Sequence, residues 1–201
     1  MQVLETKKFN SAKGFTIIEL LVVIAIIGIL SALAFGMGRM VSERTRMNRA
    51  ITQMATITQG LEQFKNQYGD YPFIRQHAAG SETRGQELYS ALSGRTGPLG
   101  TAMPRRGRMF INPEQFFLAN TSNVSPDQII EDARTYLEDP WGRPYEYYYK
   151  TENNPDAWEN PQFVLFSRGP EGGGKANDPG PDGRPDYDHF DNRGVIYANR
   201  N

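Results

Sequence analysis

The chain has no cysteine among its 201 residues. That excludes disulfides, a thiolate nucleophile and thiolate metal ligands. Histidine is scarce, and His77 and His189 both read as surface side chains rather than metal ligands. Proline is missing until Pro72, so nothing breaks a helix in the first third of the chain. Catalytic signatures are missing as well: there is no GxSxG, HExxH, P-loop or GxGxxG. Ser167 lies in Phe-Ser-Arg-Gly, and the neighbouring Glu138 and Asp139 read as the polar end of a helix before a turn rather than as a glycosidase pair. The sequence is therefore not expected to encode an enzyme.

Charge is also missing from one long stretch. Between Lys13 and Arg39 lie 25 residues whose only ionisable side chain is Glu19. At 1.5 Å per residue such a run spans a bilayer core of roughly 30 Å. Residues 15–38 are read as a transmembrane helix. The mean hydropathy of −0.58 shows that the remainder is distinctly polar, so one membrane segment carries one water-facing domain. Lys7, Lys8 and Lys13 precede the run as a basic amino-terminal region, as in a secretory signal. The run is too long for such a signal, however, and stays apolar beyond Ser31-Ala32-Leu33-Ala34, the nearest candidate cleavage site. A carboxylate inside the run needs a reason, because an ionised side chain in hydrocarbon is costly: either a cation reaches it or it snorkels to the headgroups.

The segment Lys13-Gly14-Phe15-Thr16-Ile17-Ile18-Glu19-Leu20-Leu21, continuing apolar to Leu30, resembles the leader of type IV pilins and type II secretion pseudopilins. The resemblance implies that residues 1–14 are a leader cut off by a prepilin peptidase between Gly14 and Phe15. It implies that the new amino group of Phe15 is methylated, and that Glu19 pairs with the amino terminus of a neighbouring subunit as a filament assembles. It further implies an inner-membrane, single-pass protein with its amino terminus cytoplasmic and its carboxy-terminal domain periplasmic. The basic residues on both sides of the span do not settle that orientation. Gly28, Ala32 and Gly36 form a small-residue row that permits close helix approach. Gly36 stands where the family often has proline.

The helix is expected to continue through 39–70 as an amphipathic segment. Met40, Met47, Met54, Leu61 and Tyr68 recur every seven residues, with Ala50, Ile57 and Phe64 three residues after the middle members. Gly69-Asp70-Tyr71-Pro72 marks the stop. A helix over 15–68 would be roughly 80 Å long. The stripe is read as the face on which the globular domain, 71–201, packs.

In that domain a short helix is expected over 86–92, a loop over 94–107 and a second helix from Ser125 to about Leu137, with Ser125 as its cap and Pro126 at its first position. Arg105, Arg106 and Arg108 lack interleaved aromatics, so nucleic acid is not an expected partner. Strands are expected over 145–150 and 163–166, with a last short strand over 195–198.

Asp139-Pro140-Trp141-Gly142-Arg143-Pro144-Tyr145, and then Phe163-Val164-Leu165-Phe166-Ser167-Arg168-Gly169-Pro170-Glu171-Gly172, resemble the major pseudopilin of type II secretion, the G subunit. The fold class this implies is α+β: a pilin-like lollipop in which a long amino-terminal helix, membrane-spanning in its first half, packs on a small antiparallel β-sheet domain with a long carboxy-terminal loop region. Its function would be that of a structural subunit, homopolymerising into the secretion pseudopilus with minor pseudopilins and an inner-membrane assembly platform as partners. The alternative is a pilin or minor pilin-like subunit for adhesion, motility or DNA uptake. The resemblance also implies Ca²⁺. Matching positions place the Arg168 carbonyl, Glu171 and Asp178 as ligands, with Gly173 a further carbonyl; Glu171, Ala176 and Pro179 depart from the pattern, and replacement oxygens are sought in Asp182, Asp186, Asp188 or Asp191, the alternative being a solvated acidic loop. The stretch around 76–136 matches no part of the family.

Charge is divided unevenly along the chain. Residues 39–108 hold 11 basic and 5 acidic side chains, and residues 109–201 hold 8 and 16. Stacking that brings basic regions against acidic ones would weaken as salt is raised.

Overall fold

The computed structural model describes residues 14–75, 80–103, 105–122, 124–125, 128–170 and 196–197, with the side chains of 32–40, 81, 196 and 197 excluded. The chain divides into two compact units, 1–42 and 43–201. Helix α1, Ile17–Tyr68, begins in the first and ends in the second.

In the first unit the described side chains of α1 are exposed all round, from Ile17 at 86% to Leu30 at 60%, and are apolar apart from Glu19, Ser31 and Ser42. Among the described residues no helix is long and apolar enough to cross a membrane. The expected span includes residues 32–38, whose side chains lie outside the description.

In the second unit α1 contributes the expected stripe to the core. Ala50, Met54, Ile57, Leu61 and Phe64 are all essentially fully buried. The stripe fades towards Met47, which is 38% exposed, while Tyr68 packs partly buried at the far end. The helix ends on Gly69, whose φ of +91° is open to glycine at little cost and whose N–H bonds back to the Lys65 carbonyl at 2.7 Å.

Helix α2, Ser81–Leu92, starts five residues before its expected beginning and buries Leu88, Tyr89, Ala91 and Leu92. Two small antiparallel sheets complete the layer. β1 (Phe117–Asn120) pairs with β2 (Thr135–Glu138), placing Leu118 opposite Leu137. β3 (Glu146–Tyr148) pairs with β4 (Val164–Ser167), which pairs with β5 (Ile196–Tyr197). The three strands expected around 145–150, 163–166 and 195–198 are therefore present, each within a few residues of its expected ends. β3 and β4 are buried along their whole length, which is why their sequence shows no polar alternation.

Among the described residues of 125–137 the expected helix is not formed. Gln128–Glu131 makes a turn, with the Glu131 and Asp132 N–H groups bonding to the Gln128 carbonyl. Asp132 Oδ1 then accepts from the Arg134 N–H at 2.7 Å, and the chain extends as β2. Thr135 is β-branched and Tyr136 aromatic, both strand formers, and the pairing of this segment with β1 outweighs the local cap signal.

The unmatched stretch forms α2, a fastened loop and the β1–β2 pair. The loop is closed by Gly107 N–H on the Gly94 carbonyl at 2.6 Å. Arg95 donates to the carbonyls of Ile130 and Asp132, and Arg106 to the Ser93 carbonyl and to Glu131. These arginines are structural ties. Gly94 sits at φ +76°, and a Cβ there would meet the Gly107 oxygen at 2.6 Å and the Arg108 oxygen at 2.7 Å. Gly94→Ala should lower stability by about 2 kcal/mol or more, measured by urea denaturation.

At the end of α1, Asp70 accepts from the Tyr149 hydroxyl at 2.5 Å and the Tyr71 N–H at 2.9 Å, and pairs with Lys150 at 2.9 Å. Burial pushes its carboxyl up, but the hydrogen bonds from Tyr149, Lys150 and Tyr71 together outweigh it, and the net shift is downward. A depressed folded value stabilises the fold above the unfolded carboxyl range near 4 and ceases to do so as pH falls through the folded value. Asp70→Asn should therefore cost about 1 kcal/mol at neutral pH and have less effect in acid, read as the difference in Tm between pH 7 and pH 3.

Candidate functional site

At the amino-terminal end of the description, Gly14 and Phe15 are exposed, Phe15 at 84%. α1 begins at Ile17, so Thr16 is its N-cap and Glu19 its third helical residue. Glu19 Oε2 accepts from the Thr16 N–H at 2.9 Å and from its hydroxyl at 2.8 Å, while Thr16 Oγ1 accepts from the Glu19 N–H at 3.3 Å. This is a capping box, which satisfies two orphan donors of the first turn reciprocally. Glu19 therefore has an intrachain role in the uncleaved chain: it closes the helix start next to the Gly14–Phe15 bond. The signal was present in the spacing Thr16-x-x-Glu19, which the apolar run around it obscured.

The second candidate region lies where the Asp139 turn meets the end of β4. The buried Asp139 carboxylate accepts at Oδ1 from the Trp141 and Arg143 N–H groups, at 2.9 and 3.0 Å, and at Oδ2 from the Ser167 hydroxyl at 2.6 Å. Ser167 Oγ in turn accepts from the Gly169 N–H at 3.1 Å, and Arg143 donates to the Gly169 carbonyl. The Asp139 carboxylate thus both folds its own turn and holds the residues after β4. Next to it, the fully buried Glu146 receives Arg84 at 2.7 Å on one oxygen and Arg168 at 2.8 Å on the other. The Arg84 guanidinium lies 4.3 Å from the centre of the Tyr148 ring. Burial and the neighbouring Asp139 push the Glu138 carboxyl upward.

Of the expected metal ligands, Arg168 is described and lies beside Glu146. Glu171, Gly173, Asp178, Asp182 and Asp186 lie outside the described residues, as does His189. Among the described residues no group of three or more metal-binding side chains comes together. Sequence reasoning noticed the Asp139 turn and the β4 end as separate signals and missed the Asp139–Ser167 bond that makes them one structure.

Residues 9–35 match the prokaryotic N-terminal methylation motif. Two fimbrial proteins of Pseudomonas aeruginosa are each 42% identical over 53 residues, a match covering 26% of this chain and 34% of each relative. The chain thus spans about a third of the length of the curated relatives it matches. No solved structure matches it. The matched residues 9–35 include Gly14, Phe15 and Glu19, and the motif and the fimbrial relatives together support a type IV pilin-like family.

Proposed function

We propose that the protein is a pilin-type structural subunit that is cleaved after Gly14, methylated at Phe15, anchored by its apolar helix and polymerised into a filament. The observation that carries this reading is the methylation motif over residues 9–35 with Glu19 as the only ionisable side chain of the run. The geometry suits a change of partner. In the uncleaved chain the Glu19 carboxylate is held by hydrogen bonds from the N–H and hydroxyl of Thr16. After cleavage a free α-ammonium of a neighbour offers a full positive charge, a stronger partner in a low-dielectric surrounding.

Within that class we favour the major subunit of the type II secretion pseudopilus, resident in the inner membrane with its domain in the periplasm. Support comes from the Asp139-Pro-Trp-Gly turn and the Phe-Ser-Arg-Gly strand end, which resemble that subunit and are bonded to each other through Asp139 and Ser167. The fimbrial relatives favour a second reading, a pilus subunit. Deleting the gene separates them: loss of exported proteins from the medium with surface pili intact supports the first, and the reverse supports the second.

Ca²⁺ is part of the first reading. The Arg168 carbonyl, Glu171 and Asp178, with Asp182 and Asp186, offer the hard oxygens that this ion takes. The bonds from Ser167 and Arg143 hold the chain at Gly169, close to where these ligands begin. If Ca²⁺ binds there, Tm should rise with millimolar Ca²⁺ and fall with EGTA; identical melting curves would remove the metal from the proposal.

A further inference from the structure

The carboxy-terminal end of α1 carries two unlike patches, both within the second unit. On one flank a cleft of about 380 Å³ is lined by Gln63, Asn66 and Gln67 of α1 and by Arg108. The fastened loop holds Arg108 there: the Gly107 N–H bonds to the Gly94 carbonyl at 2.6 Å and the Phe110 N–H to the Leu92 carbonyl at 2.8 Å. Arg108 is exposed, and among the described residues nothing pairs with its guanidinium or bonds to the three side-chain amides. The cleft therefore offers one full positive charge among neutral donors and acceptors that the fold leaves unused.

On the other flank lies the connection between β3 and β4. Glu152, Asp156 and Glu159 are exposed there, and no lysine or arginine occurs between Lys150 and Arg168. Lys150 is itself taken by Asp70 at 2.9 Å. Among the described residues nothing pairs with the three carboxylates. The connection is nevertheless fixed. Trp158, 5% exposed, has its ring centre 6.2 Å from that of Tyr149, which lies 5.3 Å from Tyr71. The Glu152 N–H bonds to the Ile74 carbonyl at 3.2 Å. Tyr71 in turn meets α1 at Glu62, which accepts from its hydroxyl at 2.6 Å, and at Lys65, whose ammonium lies 4.5 Å from its ring centre. At about 100° per residue, Gln63 and Gln67 stand roughly 150° around α1 from Glu62 and Lys65. The two patches thus share one level of the helix and lie on opposite sides of it.

We propose that the 152–159 connection of one copy docks in the Arg108 cleft of a neighbouring copy. The inference rests on the filament reading above and adds a contact between globular units to it. A guanidinium forks onto a carboxylate, while the amides of Gln63, Asn66 and Gln67 donate to further oxygens and accept from backbone N–H groups. A second copy is favoured over another acidic protein because every copy carries both halves, at one level and on opposite flanks. Parallel copies side by side then set each cleft against the next connection. Such a head-to-tail contact leaves a free cleft at one end and a free connection at the other, so it propagates. Exposed ion pairs are individually weak, so this contact sets the register between subunits and loosens in salt.

The absence of cysteine makes a direct test available, because introduced thiols are the only ones in the chain. Asn66→Cys with Asn153→Cys places one thiol in the cleft and one on the connection, and keeps Arg108 and all three carboxylates. Filaments of the full chain, sheared from cells, are treated with a short bismaleimide and run on a denaturing gel. The expected result is a ladder of dimers, trimers and higher species that fades in high salt, with each single-cysteine variant staying monomeric. Adding Arg108→Glu should weaken the ladder roughly two- to fivefold. E152K/D156K/E159K should weaken it as well, and the two reversals together should restore it, which misfolding could not do. If the paired cysteines block assembly, the same reversals in the cysteine-free chain, read as filament yield, decide the matter. If filaments form without a ladder, or Arg108→Glu leaves the ladder unchanged, the docking proposal fails and the filament reading stands. Dimers from either single-cysteine variant would mean that like meets like, and linkage of Asn66→Cys to a different protein would assign the cleft to that partner; both overturn the proposal. If the unaltered chain forms no filaments, the filament reading fails and the docking proposal with it.

Discussion

Replacing Glu19 with alanine should leave cleavage after Gly14 intact and abolish filament formation. Two separate interactions are removed at once. The first is the cap: Thr16 loses the carboxylate that accepts from its N–H and hydroxyl, a local cost of about 1 kcal/mol. That frays one turn and does not by itself prevent assembly of a helix of 52 residues. The second is the proposed pairing with the α-ammonium of a neighbouring Phe15. With alanine, that ammonium would be buried in hydrocarbon without a counter-charge, at a cost of several kcal/mol for every subunit added. Glu19→Gln distinguishes the two effects. Glutamine keeps the capping geometry but carries no charge. If pairing is the assembly interaction, Glu19→Gln is cleaved and methylated, anchors in the membrane and still forms no filaments. If Glu19→Gln assembles normally, Glu19 acts as a cap and the pairing role is wrong. Quantitative electron microscopy of filaments sheared from cells, alongside immunoblots for processed subunit, reads both outcomes.

Replacing Glu146 with alanine should destabilise the globular unit by about 3–5 kcal/mol, because it strands buried positive charge. Glu146 is completely buried and holds one arginine on each carboxylate oxygen, Arg84 from α2 and Arg168 from the end of β4. The Arg84 side chain is 6% exposed and that of Arg168 is 25% exposed, so water can relieve Arg168 but not Arg84. Without the carboxylate two like charges face each other as well. Tm should fall by about 10 °C or more. Glu146→Gln, which keeps an acceptor, should fall less far. A loss under about 1 kcal/mol for Glu146→Ala would mean that the pair is solvated and that the sheet does not depend on it.

The long helix and its buried face were legible because their signal is local and periodic. Ala50, Met54, Ile57, Leu61 and Phe64 repeat at helical spacing, and all five are buried. The strands around Tyr147 and Leu165 were legible from runs of aromatic and branched residues. β1 was missed and β2 was read as helix because their evidence is pairing across 15 to 21 residues, Asn120 with Thr135 and Phe117 with Glu138, which no local window contains. Ser125-Pro126-Asp127 mimics a helix start, and only the partner strand overrules it. The site divides in the same way. Gly14, Phe15 and Glu19 could be placed from a contiguous motif. The Asp139–Ser167 bond spans 28 residues, and the Trp141–Glu43 bond spans 98, so neither is visible until the chain is folded.

The central claim is that the mature protein is a processed pilin-type subunit. Mass spectrometry of the protein purified from its native membranes tests it most directly. A mature chain beginning at Phe15, with one methyl group on its α-amino nitrogen, is the result expected. A chain that keeps Met1-to-Gly14, or begins elsewhere than Phe15, would contradict it.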